Sequence, residues 1–327
     1  MKKLTLFLSF AIILSLSLLL TSCDITDFIG GGHEVDGPIY GGGEEEFTEA
    51  FRFEEINGGY MLVEYYEKNH DGTDVVIPET YNGHKITGIN GPVFTNSNIT
   101  SLVIPASVEF IPGSLLEGCT TIRKLTLPAN GCIAVNDDFS IGQTLFNAEA
   151  PESLVEVIIN GGSRIGDRKF HDCVYIEKIT ISGDVEEIGY GAFENCISLR
   201  SIVIEEGVAV IGGHAFHNCT ALDSIHLPES IETIDYGAFY GCSNLKELTL
   251  PEKITNIPTY FFEGCTSLKS ISFGESVTNI GGCAFMGCSA FETVYFSGSR
   301  EAWEKIVIDD YCNDYLINAE KYFNGIN

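Results

Sequence analysis

Six cysteines recur at intervals of 23 residues through the second half of the chain, and this period constrains the fold more than any other feature. Phenylalanine stands three residues before each of them, from Phe170 to Phe285, and a large apolar residue stands three residues after each. The cysteines are Cys173, Cys196, Cys219, Cys242, Cys265 and Cys288. A fixed period of this length is typical of a solenoid, in which a unit buries its apolar face only by stacking on its neighbours.

One unit, Gly191–Gly212, indicates how a coil is built. Its segment from Leu199 to Ile204 alternates apolar and polar residues, which is the pattern of a short half-buried strand. A turn containing Gly207 and a second apolar pair follow, and the segment before the next cysteine suits a short helical turn on the opposite side. Repeated along the chain, this pattern predicts ten parallel strands, with an insertion at 130–143 that interrupts the period.

The recurrent pattern Ile-Gly-x-x-Ala-Phe-x-x-Cys-x-x-Leu resembles the BspA-like subfamily of leucine-rich repeat proteins, over about Val75 to Phe296. The resemblance implies an α/β fold, a leucine-rich repeat solenoid of 23-residue period. A parallel sheet would form its concave face, and short helical turns or loops its convex side. Members of this family include bacterial surface adhesins that bind host extracellular-matrix proteins, so the resemblance implies a surface-exposed binding protein.

The chain divides by composition into five segments. The turn signal Asn57-Gly58 between apolar runs predicts a hairpin before the repeats, and the stretch after them holds the only tryptophan, Trp303. Both ends depart from the repeat, as terminal caps do. The segments are a lipoprotein signal peptide (1–22), a glycine-rich acidic tether (23–46), an N-terminal cap hairpin (47–74), the repeats (75–298) and a C-terminal cap (299–327).

The first residues have the features of an export signal. Lys2 and Lys3 precede an apolar run of 17 residues, which ends in Leu20-Thr21-Ser22-Cys23. This ending resembles a bacterial lipobox, with cleavage before Cys23 and lipid on its thiol. A simple signal peptide or an uncleaved anchor helix is the alternative, although 17 residues is at the lower limit for a spanning helix. We expect an extracytoplasmic protein, lipid-anchored to the cell envelope through Cys23 and surface-exposed.

The formal net charge of the chain is −28. Removal of Lys2 and Lys3 with the leader takes away two positive charges and leaves −30. A surface of this kind repels nucleic acid and anionic lipid headgroups, so no nucleic-acid partner is expected. The charge either attracts basic patches on a partner or keeps the solenoid soluble, and solubility is the favoured explanation.

The 11 cysteines of the chain would suggest disulfides in an exported protein. Equivalent positions in successive coils, however, have parallel Cα–Cβ bonds and Cβ atoms ~4.8 Å apart. A disulfide needs ~3.8 Å, so the six-cysteine ladder, with Cys119 at the equivalent place in an earlier unit, is predicted to hold buried free thiols. Cys132, Cys283 and Cys312 stand outside the ladder, and the sequence leaves open which of them pair.

The chain contains no catalytic constellation and no phosphate-binding glycine loop, so we expect no enzymatic activity and no cofactor. His214 and His217 have the spacing of two metal ligands on a helical turn. Only one unit carries this pair, however, and variation at exposed repeat positions is the favoured explanation. No metal site is therefore predicted.

The outward positions of the strands form the candidate binding face, because such repeat proteins commonly bind through an extended concave surface. Tyr295 is either an anchor for the ligand or a packing residue against the C-terminal cap near Trp303. The polarity of the face favours neither a protein nor a glycan ligand, with host extracellular matrix among the candidates. The alternative function is an envelope structural or glycan-binding component without a host ligand. The candidate binding residues are Lys178, Val203, His226, Thr249, Ser272 and Tyr295.

Lipidation is tested by the substitution Cys23→Ala. The variant lacks the thiol that accepts the lipid, so we expect it to lose metabolic labelling with palmitate and to accumulate as unprocessed precursor. Thr21→Ser keeps a small hydroxyl residue before the cysteine and is the control that should label like the native chain. Equal labelling of Cys23→Ala and the native chain would contradict a lipidated start.

Overall fold

The computed structural model describes residues 50–70, 72–129 and 140–324. All of them belong to one of the two units into which the chain divides, Glu46–Asn327. The predicted signal peptide and tether, with Cys23, lie outside the described residues, and so does Cys132. In the three described ranges, no helix has the length and apolar character needed to cross a bilayer.

The described chain begins with an antiparallel hairpin of β1 (Phe51–Ile56) and β2 (Gly59–Tyr65). The turn between them requires a left-handed residue, which Gly58 supplies with φ of +96°. β2 also pairs in parallel with β5 (His84–Ile89), which pairs antiparallel with β4 (Thr80–Tyr81). Side chains from β2 and β5 join the same buried apolar cluster as the first coil, so this small sheet closes the core.

Ten parallel strands, one from each of ten coils, form the main ladder of the solenoid. They make one sheet of six strands and another of four, with equivalent residues of successive coils side by side. This arrangement confirms the predicted solenoid of 23-residue period. The strands are β3 (Asp74–Val76), β6 (Ser101–Val103), β7 (Lys124–Leu127), β8 (Glu156–Ile159), β10 (Lys178–Ile181), β12 (Ser201–Ile204), β15 (Glu247–Thr249), β17 (Ser270–Phe273), β19 (Thr293–Phe296) and β21 (Glu320–Phe323).

A second ladder of two-residue strands runs beside the first and forms sheets of four and three strands. The third side of the described coils consists mainly of hydrogen-bonded turns. Two short helical segments occur in this part of the chain, a 3-10 helix at Glu67–Asn69 before the first coil and a π-helical turn at Gly142–Phe146 between β7 and β8. The short strands are β9 (Arg164–Ile165), β11 (Glu187–Ile188), β13 (Val210–Ile211), β14 (Thr233–Ile234), β16 (Asn256–Ile257), β18 (Asn279–Ile280) and β20 (Val307–Ile308).

The main ladder is interrupted at the coil that contains His226. The alternation in Ser224–Leu227 predicts a strand, but no backbone hydrogen bond joins this part of the described chain to a neighbouring coil. The coils stay joined on the turn side, where Phe216 N–H donates to Ala238 O at 2.9 Å. The prediction of ten consecutive strands is therefore wrong at this coil. Pairing requires backbone groups of adjacent coils within about 3 Å, and alternation along one coil does not encode that distance.

The buried phenylalanines stack directly on one another between coils. Ring centroids lie 5.3 Å apart between Phe170 and Phe193, and 5.6 Å apart between Phe193 and Phe216. The next pair, Phe216 and Phe239, is also 5.6 Å apart. Each ring thus fills the space above the last one, which gives close-packed contact along the stack of coils.

The ladder cysteines lie buried as free thiols, as predicted, but they do more than fill space. The thiol of Cys219 donates a hydrogen bond to the carbonyl of Phe193, in the preceding coil, at 3.3 Å. The same bond recurs along the ladder, at distances between 3.1 and 3.3 Å from Cys196 to Cys288. Burial raises the pKa of Cys242 to about 12, which keeps the proton that this bond requires on the sulfur.

The C-terminal cap adds a last coil made of α1 (Arg300–Trp303), β20, α2 (Asp314–Asn318) and β21. The hydroxyl of Ser299 caps α1 by accepting from the backbone N–H of Ala302 at 3.2 Å. The ring of Trp303 packs against Phe273, Phe296 and Phe323, with centroids between 5.6 and 6.4 Å away. Aromatic packing therefore covers the apolar interior at this end of the stack.

The contribution of a ladder thiol is tested by Cys219→Ser. Serine has a shorter bond to its oxygen and a hydroxyl more polar than the thiol, so it buries a costlier group with a longer hydrogen bond to Phe193. We expect the free energy of unfolding to fall by about 1–3 kcal/mol, measured by urea denaturation. Ser201→Ala, at an exposed position of β12, is the control and should change the free energy by less than about 0.5 kcal/mol.

The prediction that the ladder cysteines form no disulfides is tested by alkylation followed by mass spectrometry. The buried thiols should resist alkylation in the folded chain and react after unfolding without a reductant. A disulfide between Cys196 and Cys219, or between Cys242 and Cys265, would contradict this expectation.

Candidate binding surface

The outward side chains of the main ladder form a continuous surface on each side of the interrupted coil, and we call it the strand face. Alternation along β12 shows how it arises, because Ile202 and Ile204 point into the core at 7% and 5% exposure. Val203, between them, is 45% exposed. Since successive side chains of a strand point to opposite sides, each strand contributes its middle residue to this face.

The six predicted binding residues all lie on this side of the molecule but in different settings. Thr249, Ser272 and Tyr295 are aligned in one column of the second sheet. Lys178 belongs to the neighbouring column of the first sheet, beside Ser201. Five of the six are exposed and Ser272 is half-buried.

His226 and Val203 differ from that column in their surroundings. His226 is exposed but lies in the interrupted coil, where no strand pairing fixes the position of its backbone. Val203 lies on β12, the edge strand of the first sheet, and is in register with Thr180 of β10. The structure therefore brings together the three predicted residues of the second sheet and leaves Lys178, Val203 and His226 apart from them.

Aliphatic side chains line the middle column of the first sheet. Val76 and Val203 are 43% and 45% exposed at its two ends, and Val103 and Ile158 are half-buried between them. The pairing register places all four in one line, with threonine at the two other positions. We call these four residues the aliphatic column. The alternation indicated the outward position of Ile158, but of these four residues only Val203 was among the predicted binding residues.

A pair of tyrosines ends the strand face at the C-terminal cap. Tyr295 is 48% exposed, and its ring centroid lies 5.5 Å from that of Tyr322 on β21. The hydroxyl of Tyr322 donates to Glu320 at 2.9 Å, and this bond raises the pKa of Tyr322. Tyr295 thus does contact the cap, but through Tyr322, while Trp303 packs with Phe296 on the buried side.

Tyr322 was missed as a surface residue because the repeat period ends before it. The cap returns to the main ladder through β21, which pairs in parallel with β19 and adds Tyr322 to the column of Tyr295. The only sequence signal is the alternation in Glu320–Phe323, which is too short to identify a strand by itself.

Ion pairs fix the charged side chains beside these columns. Glu156 lies 3.0 Å from the ammonium of Lys178 and 3.6 Å from that of Lys124. The hydrogen bond from Lys178 is the largest cause that lowers the pKa of Glu156. Lys246 pairs with Asp223 at 2.9 Å near a depression that Tyr295 also lines. The strand face is therefore locally balanced in charge although the whole chain is strongly acidic.

The two histidines singled out in the sequence lie on the turn side, away from the strand face. The ring of His214 meets the rings of Tyr190 and Tyr236 nearly at right angles, with centroids 5.6 and 5.0 Å away. Glycine makes room for it, because a Cβ at Gly237 would lie 2.6 Å from its Cε1 atom. No group of three or more His, Cys, Asp or Glu in the described ranges is arranged to hold a metal ion. The arrangement is that of a packing cluster between coils.

A protein-family comparison agrees with this architecture. The model of the BspA type leucine-rich repeat region matches residues 73–160 and 163–292, in 6 copies. The chain belongs to the BspA-type leucine-rich repeat family. The matched ranges contain the strands of the main ladder from β3 to β17. The match is to a repeat region and not to a catalytic domain.

Several solved structures of the same kind are similar to this chain. A leucine-rich repeat protein of T. pallidum (TpLRR) is 22% identical, with 75% of this chain and 89% of that chain covered and a TM-score of 0.40. A leucine-rich cell surface protein of Faecalibacterium prausnitzii A2-165 is 22% identical, with 84% and 99% covered and a TM-score of 0.29. The pneumococcal vaccine antigen PcpA is 15% identical, with 84% and 95% covered and a TM-score of 0.37. No curated protein matches the sequence.

The packing cluster predicts a pH dependence of stability. Burial, and then the neighbouring His217, lower the pKa of His214 below its ordinary value of about 6.5. As the pH falls through that value the unfolded chain binds a proton that the folded chain does not, so stability falls. We expect His214→Asn, which tolerates the left-handed backbone there, to lose less stability than the native chain between about pH 7 and about pH 5.

Urea denaturation at several pH values measures this difference, and Ser201→Ala, which removes no ionisable group, is the control. This variant should show the same pH dependence as the native chain. Identical pH profiles for His214→Asn and the native chain would show that His214 does not contribute to this dependence.

Proposed function

We propose that the chain is a lipid-anchored cell-surface protein without enzymatic activity, and that it binds a protein ligand through the strand face. The observation that carries this proposal is the aliphatic column, whose four members lie in register across the first sheet. Val76 and Val203 expose nearly half of their side chains on this outward face, and exposed aliphatic surfaces commonly mark sites of protein contact.

The energetics favour a ligand that spans several coils. Burial of one half-exposed valine contributes about 1 kcal/mol, so useful affinity requires several members of the column together. Val76 and Val103 lie one coil apart, at a spacing of ~4.8 Å, and one threonine coil separates Ile158 from Val103 and from Val203. A line of contacts across successive coils suits an extended segment of a partner or an edge of its sheet. The loss of any single contact should therefore weaken binding without abolishing it.

The charges beside the column would orient the ligand. Glu156 is already paired with Lys124 and Lys178, so a partner does not have to neutralise an isolated charge there. The net charge of −28 would speed the approach of a partner with a basic surface and oppose nucleic acid.

The anchor and the absence of catalysis rest on sequence arguments. The lipobox ending at Cys23 supports attachment to the envelope, and the glycine-rich acidic tether predicted at 23–46 would separate the repeats from the lipid surface. Each coil presents nearly the same chemistry, and the matching family model is a repeat region, which supports a scaffold and not an enzyme. Adhesion to host extracellular matrix is the specific form of this function that the family resemblance suggests.

A glycan ligand is the second candidate, and the tyrosine pair favours it. Tyr295 and Tyr322 present neighbouring rings beside charged side chains, and aromatic rings offer contact area at low entropic cost. The protein would then act in the cell envelope without a host ligand. The two candidates place the ligand at opposite ends of the strand face, so they can be separated by mutation.

The proposal is tested by comparing Val203→Lys with Ile197→Lys. Both native residues are β-branched and almost equally exposed, at 45% and 46%, but Ile197 lies on the turn side. Ligands are first collected by pull-down with the full chain in detergent, from host matrix proteins and from envelope fractions. We expect Val203→Lys to weaken binding of a protein ligand at least about tenfold, or about 1.4 kcal/mol, while Ile197→Lys binds like the native chain.

A glycan array probed with the native chain and with Tyr295→Ala tests the second candidate. Glycan binding that Tyr295→Ala abolishes and Val203→Lys leaves intact would replace the protein-ligand proposal. Equal binding of the protein ligand by Val203→Lys and the native chain, with both folded by circular dichroism, would exclude the aliphatic column as the site.

A further inference from the structure

Two cysteines outside the ladder occupy equivalent positions in the last two coils. Cys283 follows β18, and Cys312 stands at the corresponding place after β20 in the cap. Both adopt the left-handed backbone that this position has in earlier coils, with φ of +56° and +60°. The N–H of Cys283 donates to the carbonyl of Tyr311 at 2.7 Å, in the same way that His214 bonds to the next coil. The two residues are therefore direct neighbours across the last coil interface.

Their side chains face each other, and the Cys312 thiol is one cause of the raised pKa of Cys283. Each ladder thiol from Cys196 to Cys288 donates instead to a backbone carbonyl of the preceding coil. Cys312 follows Cys283 by 29 residues and not by 23, because the cap departs from the repeat. The parallel geometry argued for the ladder thiols therefore does not apply to this pair.

Asn313 holds Cys312 in place. This residue is completely buried, and its side chain accepts from the N–H of Phe285 at 3.0 Å. It also donates to the carbonyl of Gly281 at 2.9 Å. These two bonds attach the chain next to Cys312 on both sides of Cys283, so the thiols are positioned before any reaction occurs.

We propose that Cys283 and Cys312 form a disulfide when the protein meets a low-molecular-weight disulfide, and that this bond fastens the C-terminal cap to the last repeat. In the described chain both cysteines are free thiols, and the hydrogen bond from the N–H of Cys283 to the carbonyl of Tyr311 holds them side by side across the last coil interface. The inference is independent of any ligand on the strand face.

The reaction is a thiol–disulfide exchange in two steps. Cys312 is partly exposed, so its thiolate attacks one sulfur of the small disulfide and displaces the first small thiol. Cys283 then loses its proton and attacks the mixed disulfide at the Cys312 sulfur, which releases the second small thiol. The two cysteines together lose two protons and two electrons, and the small disulfide gains them. Burial and the neighbouring Cys312 thiol raise the pKa of Cys283 to about 11. Because the thiolate is the attacking form, the second step should accelerate with rising pH.

The bond would act at an end of the solenoid, where a coil frays without any applied force. A terminal coil contacts only one neighbour, so it opens more readily than an internal coil. The disulfide would close a loop that contains β19, α1 and β20, and cross-linking restricts the unfolded chain across this loop. The reduced protein would keep the same contacts but allow the cap to detach more often.

The test uses the full chain, purified in detergent under reducing conditions and then exposed to glutathione disulfide. Peptide mapping by mass spectrometry without reductant should recover one cross-linked pair, Cys283 with Cys312, lighter by two hydrogens. Oxidation should raise the thermal midpoint by about 5 °C or more. Cys312→Ser should lose both the cross-link and the rise, whereas Cys219→Ser, a ladder variant, should keep both.

Any of the following results would contradict the proposed disulfide between Cys283 and Cys312. Recovery of Cys283 and Cys312 as free thiols, or as mixed disulfides with glutathione, would show that the pair does not close. Cross-linking of either residue to a different cysteine would assign the bond elsewhere. An equal rise in the midpoint for Cys312→Ser and the native chain would show that oxidation acts at another site. Because peptide mapping needs no variant, the result does not depend on the folding of Cys312→Ser.

Discussion

Contact between successive coils is the interaction on which the whole structure depends. A single coil has only short strands and a few apolar side chains, so its core exists only between two neighbours. Three columns make this contact together: the main ladder, the stacked phenylalanine rings and the thiols that donate to the preceding coil. Backbone N–H and C=O groups of each coil thus form hydrogen bonds with the next coil. The two caps are needed because each outermost coil lacks one neighbour.

Packing on the turn side adds a specificity that the repeat itself does not have. Tyr190 and Tyr236 come from coils two apart, and they approach to 6.3 Å because Gly213 stands between them. His214 in turn fits over Gly237. Large and small residues therefore alternate from coil to coil, so each coil is complementary to particular neighbours. Such matching fixes the order of coils that would otherwise be nearly interchangeable.

The period alone was sufficient to predict the solenoid, the strand alternation and the buried free thiols, because all three follow from one repeated pattern of side chains. The interruption at Ser224–Leu227 could not be predicted, since its alternation matches that of its neighbours and only the distance between coils differs. Tyr322 was missed for a related reason, as it enters the ladder through a strand outside the repeat. The contact of Cys283 with Cys312 likewise depends on how the cap folds back, which no spacing in the sequence expresses.

The interrupted coil also has a mechanical consequence. Tension along a linear stack is carried in series, so the stack parts first at the interface with the fewest bonds. In the described repeats that interface lies between the interrupted coil and the coil of β15, where neither ladder pairs its strands and the hydrogen bonds of the turn side carry the load. Under a pulling force the protein would separate there into two blocks, each retaining its own cap. A protein tethered at one end and loaded at the other would thus yield in the middle, before either end unravelled.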